Sequence, residues 1–207
     1  MSESIRVLIV DDHLALRVGF AAILAESPGI EVVGEASDNK GAIEACTALS
    51  PDVVLMDLRI PGGGGVEATV AIRKRAPTAR VLIITTFDAD EDVYRAIQAG
   101  ASGYLLKGLS SGELVSAIKS VHRGDTIMPP DIAVRLRDRG LRKDLSPREL
   151  EALRLMVAGR SNREIAQQLS IGEESVKTHL KSLFLKLGVA DRTQAVIVAI
   201  RQGIVHL

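Results

Sequence analysis

The stretch Val53-Val54-Leu55-Met56-Asp57-Leu58-Arg59-Ile60-Pro61-Gly62-Gly63-Gly64-Gly65 runs from four apolar residues through an aspartate into four consecutive glycines. A nucleotide-binding phosphate loop needs G-x-x-x-x-G-K-[ST], because a lysine must reach the phosphates and a hydroxyl must hold magnesium. Val66 and Glu67 follow these glycines instead, so the run is not such a loop. The residue that carries chemistry is Asp57, at the end of a short apolar run of strand length.

Working outward from that run, the first 123 residues alternate β-branched segments with helical patterns. Strands are predicted at Arg6 to Val10, Glu31 to Ala36, Val53 to Asp57, Val81 to Thr86 and Gly103 to Lys107. Helices are predicted at Leu14 to Glu26, Lys40 to Leu49, Val66 to Lys74, Asp90 to Ala99 and Gly112 to Val121. Ser110 with Glu113, and Asp88 with Glu91, have the capping-box spacing of a helix N-terminus. Strict alternation of the two kinds of element implies a parallel sheet with helices on both faces, whose functional groups gather at the carboxyl ends of the strands.

The pattern changes near Arg123. A stretch with Pro129-Pro130 and mixed charges, helical only around Ile132 to Arg139, reads as a linker over residues 123–144 between a domain at 1–122 and a second at 145–207. The second domain shows helical patterns alone. Ser146-Pro147-Arg148-Glu149 places a cap, a proline at the first helical position and a glutamate at the third, and that helix should stop at Gly159. Ser161 with Glu164 caps a short helix ending near Leu169; a third runs from Glu173 to Leu187 and a fourth from Thr193 to Gln202.

Composition narrows the function classes. The chain is 46% apolar and 25% charged, the mix of a globular protein. No apolar run approaches the roughly 20 residues that span a bilayer, and the start lacks the pattern of a secretory leader, so the expected location is cytoplasmic with no membrane partner. The single Cys46 permits no internal disulfide or cysteine-cluster metal site and reads as a small buried hydrophobe. The net charge of zero hides an asymmetry: residues 1–123 carry 12 Lys and Arg against 16 Asp and Glu, and residues 124–207 carry 14 against 10. A basic second half is the footprint of a nucleic-acid-binding part.

Asp11 and Asp12 end the first strand and Asp57 the third, so three carboxylates should converge at one sheet edge. Uncompensated like charges at that distance are unfavourable, and a small set of oxygen ligands suits Mg²⁺. Lys107, at the end of the fifth strand, supplies a second cation, and Thr85 a hydroxyl at the same edge. Singly, each is more often a cap or a solvated charge; four strand ends bearing them together point to a phosphoryl site.

Asp11-Asp12, Asp57, Thr85 and Lys107, with "DLRIPGGGGVEA" and "GASGYLLK", resemble the receiver domain of bacterial two-component response regulators over residues 5 to about 122. The resemblance implies an α/β fold of the flavodoxin-like, doubly wound, five-stranded parallel kind. It implies that Asp57 accepts a phosphoryl group from a sensor histidine kinase. Asp12 and Asp57 would bind Mg²⁺ directly, with Asp11 assisting and the backbone carbonyl of Arg59 contributing. Lys107 would contact the phosphoryl oxygens, Thr85 would reach toward them after transfer, and Tyr104 would turn inward in step. Three positions depart from the common pattern: the glycines replace an acidic loop residue, Gly108 follows Lys107 where many relatives have proline, and Gly172 stands at a helix cap. Phe87 and Arg59 are expected to shield an acyl phosphate from water, and the glycine run to leave the pocket open to a partner's phosphohistidine.

In the second half, Val176, Leu180, Leu183 and Leu187 share the core face of the third helix, while Lys177, Thr178 and Lys181 fall on another. Neighbouring lysines repel unless an anion sits opposite, which fits a recognition helix in the DNA major groove. Residues 145 to 207 resemble the LuxR-type helix-turn-helix, and the whole chain the NarL/FixJ-type response regulators. By matching positions Lys177, Thr178 and Lys181 would read bases, and His179, Arg163 and Arg192 would contact phosphates. The family implies a homodimer when phosphorylated, bound to double-stranded DNA at paired half-sites. The apolar final helix, "AVIVAI", suits either domain pairing or core packing. Two other readings fit the residues less well. Haloacid-dehalogenase-type phosphatases need D-x-D, which Asp57-Leu58-Arg59 lacks; and a receiver kept only for constitutive dimerisation would not need the full acidic, Thr and Lys set.

Overall fold

The computed structural model describes residues 4–86, 90–130, 132–134, 136 and 144–205. The chain packs as two compact units, dividing between Ala133 and Val134. The first alternates β1 (Ile5–Val10), α1 (Leu14–Ala25), β2 (Ile30–Ala36), α2 (Asn39–Leu49), β3 (Val53–Met56), α3 (Gly65–Arg75), β4 (Arg80–Thr85), α4 (Asp90–Gln98), β5 (Gly103–Leu106) and α5 (Ser111–Arg123). The strands form one parallel sheet in the order β2-β1-β3-β4-β5. Chain order reverses between β1 and β3, and the crevice above that point is where open α/β sheets bind ligands.

The strands read as continuous apolar runs because helices cover both faces. One face sets Val7, Ile9, Val53, Leu55, Leu82 and Ile84 against Leu24 of α1 and Leu114, Ile118 and Val121 of α5. The pleat sends the intervening Leu8, Val54, Met56 and Ile83, all fully buried, to the opposite face. Ser110 and Glu113 form the expected reciprocal cap of α5. Asp88, the expected cap partner of Glu91, lies outside the described residues. Both acidic strand ends sit one residue later than a strand: β1 stops at Val10 and β3 at Met56, so Asp11 and Asp57 open the loops that follow.

Past α5 the chain does not leave the sheet at once. Gly124 closes the helix with a left-handed φ of 105°. Ile127 then bridges Gly103 in parallel, accepting from Tyr104 N–H at 2.8 Å, and its side chain packs on the core. The stretch predicted helical around Ile132 to Arg139 is helical at 132–134 and 136; its other residues lie outside the described ones. At the opposite edge the β1–β2 register slips beside Val7 and Leu8, and β2 exposes Glu31 and Glu35.

The second unit contains α6 (Pro147–Val157), α7 (Asn162–Leu169), α8 (Glu173–Leu187) and α9 (Arg192–Arg201) around Leu153, Met156, Ile165, Val176, Leu180, Leu183, Ala195 and Ala199. Ser146–Glu149 and Ser161–Glu164 are complete capping boxes. Gly172 caps α8 without a side chain, and Gly188 ends it in a left-handed turn with φ 68°. Along α9, Ala195 and Ala199 are buried while Ile197 and Ile200 are exposed, so one face packs the core and the other is left apolar at the surface. No helix among the described residues is long and apolar enough to cross a membrane.

Candidate phosphoryl site and nucleic-acid interface

Two loops bring the acidic cluster together, the one after β1 and the one after β3. Asp11 is 1% exposed, Asp57 4% and Thr85 0%, whereas Asp12 reaches solvent. Lys107 comes from β5, two strands away from β3; at about 4.8 Å between strands this is roughly 10 Å, a span that needs a long, flexible side chain. Its backbone N–H donates to Thr85 O at 2.7 Å, which anchors the stem across β4. Its ammonium then lies 2.9 Å from Asp57 Oδ2 and 2.5 Å from Asp11 Oδ2. Burial pulls the Lys107 pKa down, but hydrogen bonds and charge from Asp11 and Asp57 together outweigh it, so it is held above the ordinary lysine value.

One lysine does not balance three carboxylates. Asp57 Oδ1 is buried without a hydrogen-bond partner, and Asp11 Oδ2 is buried with the Lys107 ammonium as its only neighbour of opposite charge among the described residues. Asp11, Asp12, His13 and Asp57 each place a ligand atom within 4.8 Å of the others. Orphaned buried oxygens with a residual negative charge fit a hard divalent cation such as Mg²⁺. His13 was not singled out in the sequence, although it adjoins Asp12. Its Nδ1 lies 2.7 Å from Asp12 Oδ1, and its backbone N–H donates to Asp11 Oδ1 at 2.9 Å. Tyr104 is fully buried and Arg59 exposed; Phe87 lies outside the described residues.

The glycine run now has a geometric explanation. Gly62, Gly63 and Gly64 have φ of 85°, 122° and 90°, in the region side chains avoid. Gly65 is needed for a different reason: a Cβ there would stand 2.1 Å from Asp57 O. The loop thus doubles back onto the backbone of Asp57, and Gly65 N–H donates to Leu58 O at 2.9 Å.

On α8, Lys177, Thr178 and Lys181 are exposed together, and His179 is half-buried. Lys177 donates to Glu174 at 2.6 Å, and that hydrogen bond and charge hold its ammonium above the ordinary lysine pKa. The Thr178 hydroxyl donates back to Glu174 O, turning its methyl to the other side. Arg163 is exposed at the start of α7. Arg192 is otherwise engaged: its guanidinium donates to Met156 O and Arg160 O at the end of α6, a helix C-cap that the phosphate-contact expectation did not include.

A feature the sequence reading took only as a cap orients α8. Glu149 is 5% exposed and accepts from Ser146 N–H and from Lys186 Nζ, each at 2.7 Å, and from Ser182 Oγ at 2.7 Å. Burial would raise its pKa, but the Lys186, Ser146 and Ser182 hydrogen bonds and the Lys186 charge prevail and lower it to about 2. The ion pair ties the base of α6 to α8.

Comparison with known proteins agrees with both halves. Residues 7–119 match the family "Response regulator receiver domain". Residues 143–199 match "Bacterial regulatory proteins, luxR family". The chain is 41% identical over 208 residues to response regulator protein VraR of Staphylococcus aureus, covering 98% of this chain and 100% of the relative. The crystal structure of the response regulator ChrA, from a heme-sensing two-component system, is 40% identical, covers 98% of this chain and 99% of its own, and superposes with a TM-score of 0.58. A structure of two RcsB dimers bound to two parallel DNAs is 26% identical, covers 95% and 98%, and gives a TM-score of 0.70. With a five-stranded parallel sheet, an acidic pocket at its switch point and, later in the chain, a helix-turn-helix, the chain belongs to the two-component response regulators that join a receiver domain to a LuxR-type DNA-binding domain and regulate transcription.

Proposed function

We propose that Asp57 is the phosphoacceptor of this regulator and that a sensor histidine kinase is the donor. The observation that carries the reading is the convergence of Lys107 on Asp57 and Asp11 from a strand two places away. In the transfer a carboxylate oxygen of Asp57 bonds to phosphorus as the bond to the donor histidine nitrogen breaks, leaving an acyl phosphate. Lys107 is a point charge for the phosphoryl oxygens and Thr85 a hydroxyl at the same edge. Asp12 and Asp57, with Asp11 and the Arg59 carbonyl, would hold Mg²⁺, which supplies charge neutralisation for the transferring group. The chain acts as an acceptor and not as an enzyme with turnover; Arg59, at the position where a phosphatase would need its second aspartate, agrees with this.

The added charge of about −1.5 to −2 gives Thr85 and Lys107 an anion to engage, and Tyr104 responds at the neighbouring strand. That local change biases the regulator toward a homodimer on paired half-sites of double-stranded DNA, in the cytoplasm. Lys177, Thr178 and Lys181 read the major groove, and Arg163 and His179 contact phosphates; the cap at α6 makes Arg192 a supporting residue. The test is acetyl phosphate with Mg²⁺: wild type takes up one phosphoryl group, and Asp57→Ala takes up none while keeping its circular dichroism. Label retained by Asp57→Ala would overturn the assignment.

A further inference from the structure

The loop from Leu58 to Gly65 carries the Arg59 carbonyl, yet three of its residues are glycines with positive φ and no side chains to hold them. Asn39, the first residue of α2, supplies the restraint. Its backbone N–H, one of the helix-end amides without an intrahelical partner, donates to Pro61 O at 2.9 Å. Its side-chain Nδ2 donates to Gly64 O at 2.9 Å. The two acceptors bracket Gly62 and Gly63, and the Asn39 side chain lies against both, within 3.5 Å and 3.6 Å of where their Cβ atoms would stand. Asn39 is itself fixed, because Asp38 caps α2 by accepting from Gly41 N–H at 2.8 Å.

We propose that Asn39 is a positioning residue for phosphoryl transfer. It clasps both ends of the glycine run and so fixes the backbone leaving Asp57, including the Arg59 carbonyl that would help hold the cation. The inference rests on the cation site proposed above. Larger loop side chains could pack and hold such a loop in place; here the Asn39 amide adds its hydrogen bond to those of the Asn39 and Gly65 backbone N–H groups, and removing it loosens the loop without touching any group that contacts the phosphoryl oxygens.

The experiment compares full-length wild type, Asn39→Ala and the near-isosteric, uncharged Asn39→Leu, which keeps the shape and loses the donor. Three quantities are read: Mg²⁺ affinity by calorimetry with MgCl₂ alone, hydrogen exchange of the Gly62–Gly65 amides in metal-free protein, and the Mg²⁺ dependence of acetyl phosphate uptake. Both variants should bind Mg²⁺ about three- to tenfold more weakly, the size one neutral hydrogen bond carries. Exchange of the loop amides should accelerate by a similar factor, while the uptake rate at saturating Mg²⁺ changes less than twofold. Unchanged Mg²⁺ affinity and loop exchange in both variants overturn the proposal. If wild type binds Mg²⁺ but takes up no phosphoryl group, the phosphoacceptor reading fails while calorimetry and exchange still decide the role of Asn39. If wild type binds no Mg²⁺, both fall.

Discussion

Replacing Glu149 with glutamine should loosen the DNA-binding unit at neutral pH and progressively less so in acid. The carboxyl sits about 2.5 units below its ordinary value of 4.5 when folded, at about 2. At about 1.4 kcal/mol per unit this is an upper bound near 3.5 kcal/mol. With Lys186 still 22% exposed and a glutamine amide able to keep one of the hydrogen bonds, about 2 kcal/mol is the expected loss. The folded pKa lies below the unfolded one, so the stabilisation is complete above about pH 4.5 and disappears as pH falls toward 2. Hydrogen exchange of the α6 amides in the intact chain, corrected for intrinsic rates, reads the effect locally. At pH 7 protection should fall roughly 30-fold in Glu149→Gln. At pH 3.5 wild type should have lost about 1 kcal/mol that the variant never had, so the gap should shrink several-fold. A gap of equal size at both pH values, or none at pH 7, would refute the view that a buried carboxylate secures α6 to α8.

Gly65→Ala should destabilise the receiver by about 3 kcal/mol or more, because its Cβ would meet backbone 2.1 Å away and not a movable side chain; chemical denaturation followed by far-ultraviolet dichroism checks this, and a loss under 1 kcal/mol would mean that the loop re-routes freely. Gly63→Ala, whose Cβ would meet the Asn39 side chain at an ordinary contact distance of 3.6 Å but at a φ of 122°, should cost less, about 1–2 kcal/mol. Lys177→Ala should weaken binding to a specific operator by about 1–3 kcal/mol while leaving acetyl phosphate uptake unchanged. If the Lys177 change lowers the salt dependence of binding by about one counterion and spares sequence preference, its contact is to phosphate and not to a base.

The doubly wound sheet was legible because each signal was local: buried parallel strands are written as unbroken apolar runs, and Ser110–Glu113, Ser146–Glu149 and Ser161–Glu164 mark helix starts within four residues. The acidic site was legible for a topological reason, since alternation alone places Asp11 and Asp57 on adjacent strands. Contacts whose partners lie far apart in the chain left no such mark. Glu149 meets Lys186 across 37 residues, and Asn39 reaches Gly64 across 25. Spacing rules describe neighbours on one helix, and these pairs are neighbours only after folding. Arg192 shows the reverse: an exposed-looking cation in a basic domain that folding assigns to helix carbonyls. Ile127 looked like linker because a single bridging residue has no alternation to detect.

That bridge bears on how copies of the regulator can meet. An open parallel sheet ends in two rows of unused amides and carbonyls, the template on which chains stack into fibres. Here Ile127 covers the β5 edge, and at β2 a register slip and the outward Glu31 and Glu35 bend and charge the other. Growth by strand addition is discouraged at both ends of the sheet, which leaves contact through side chains, and not strand pairing, open to copies of this protein.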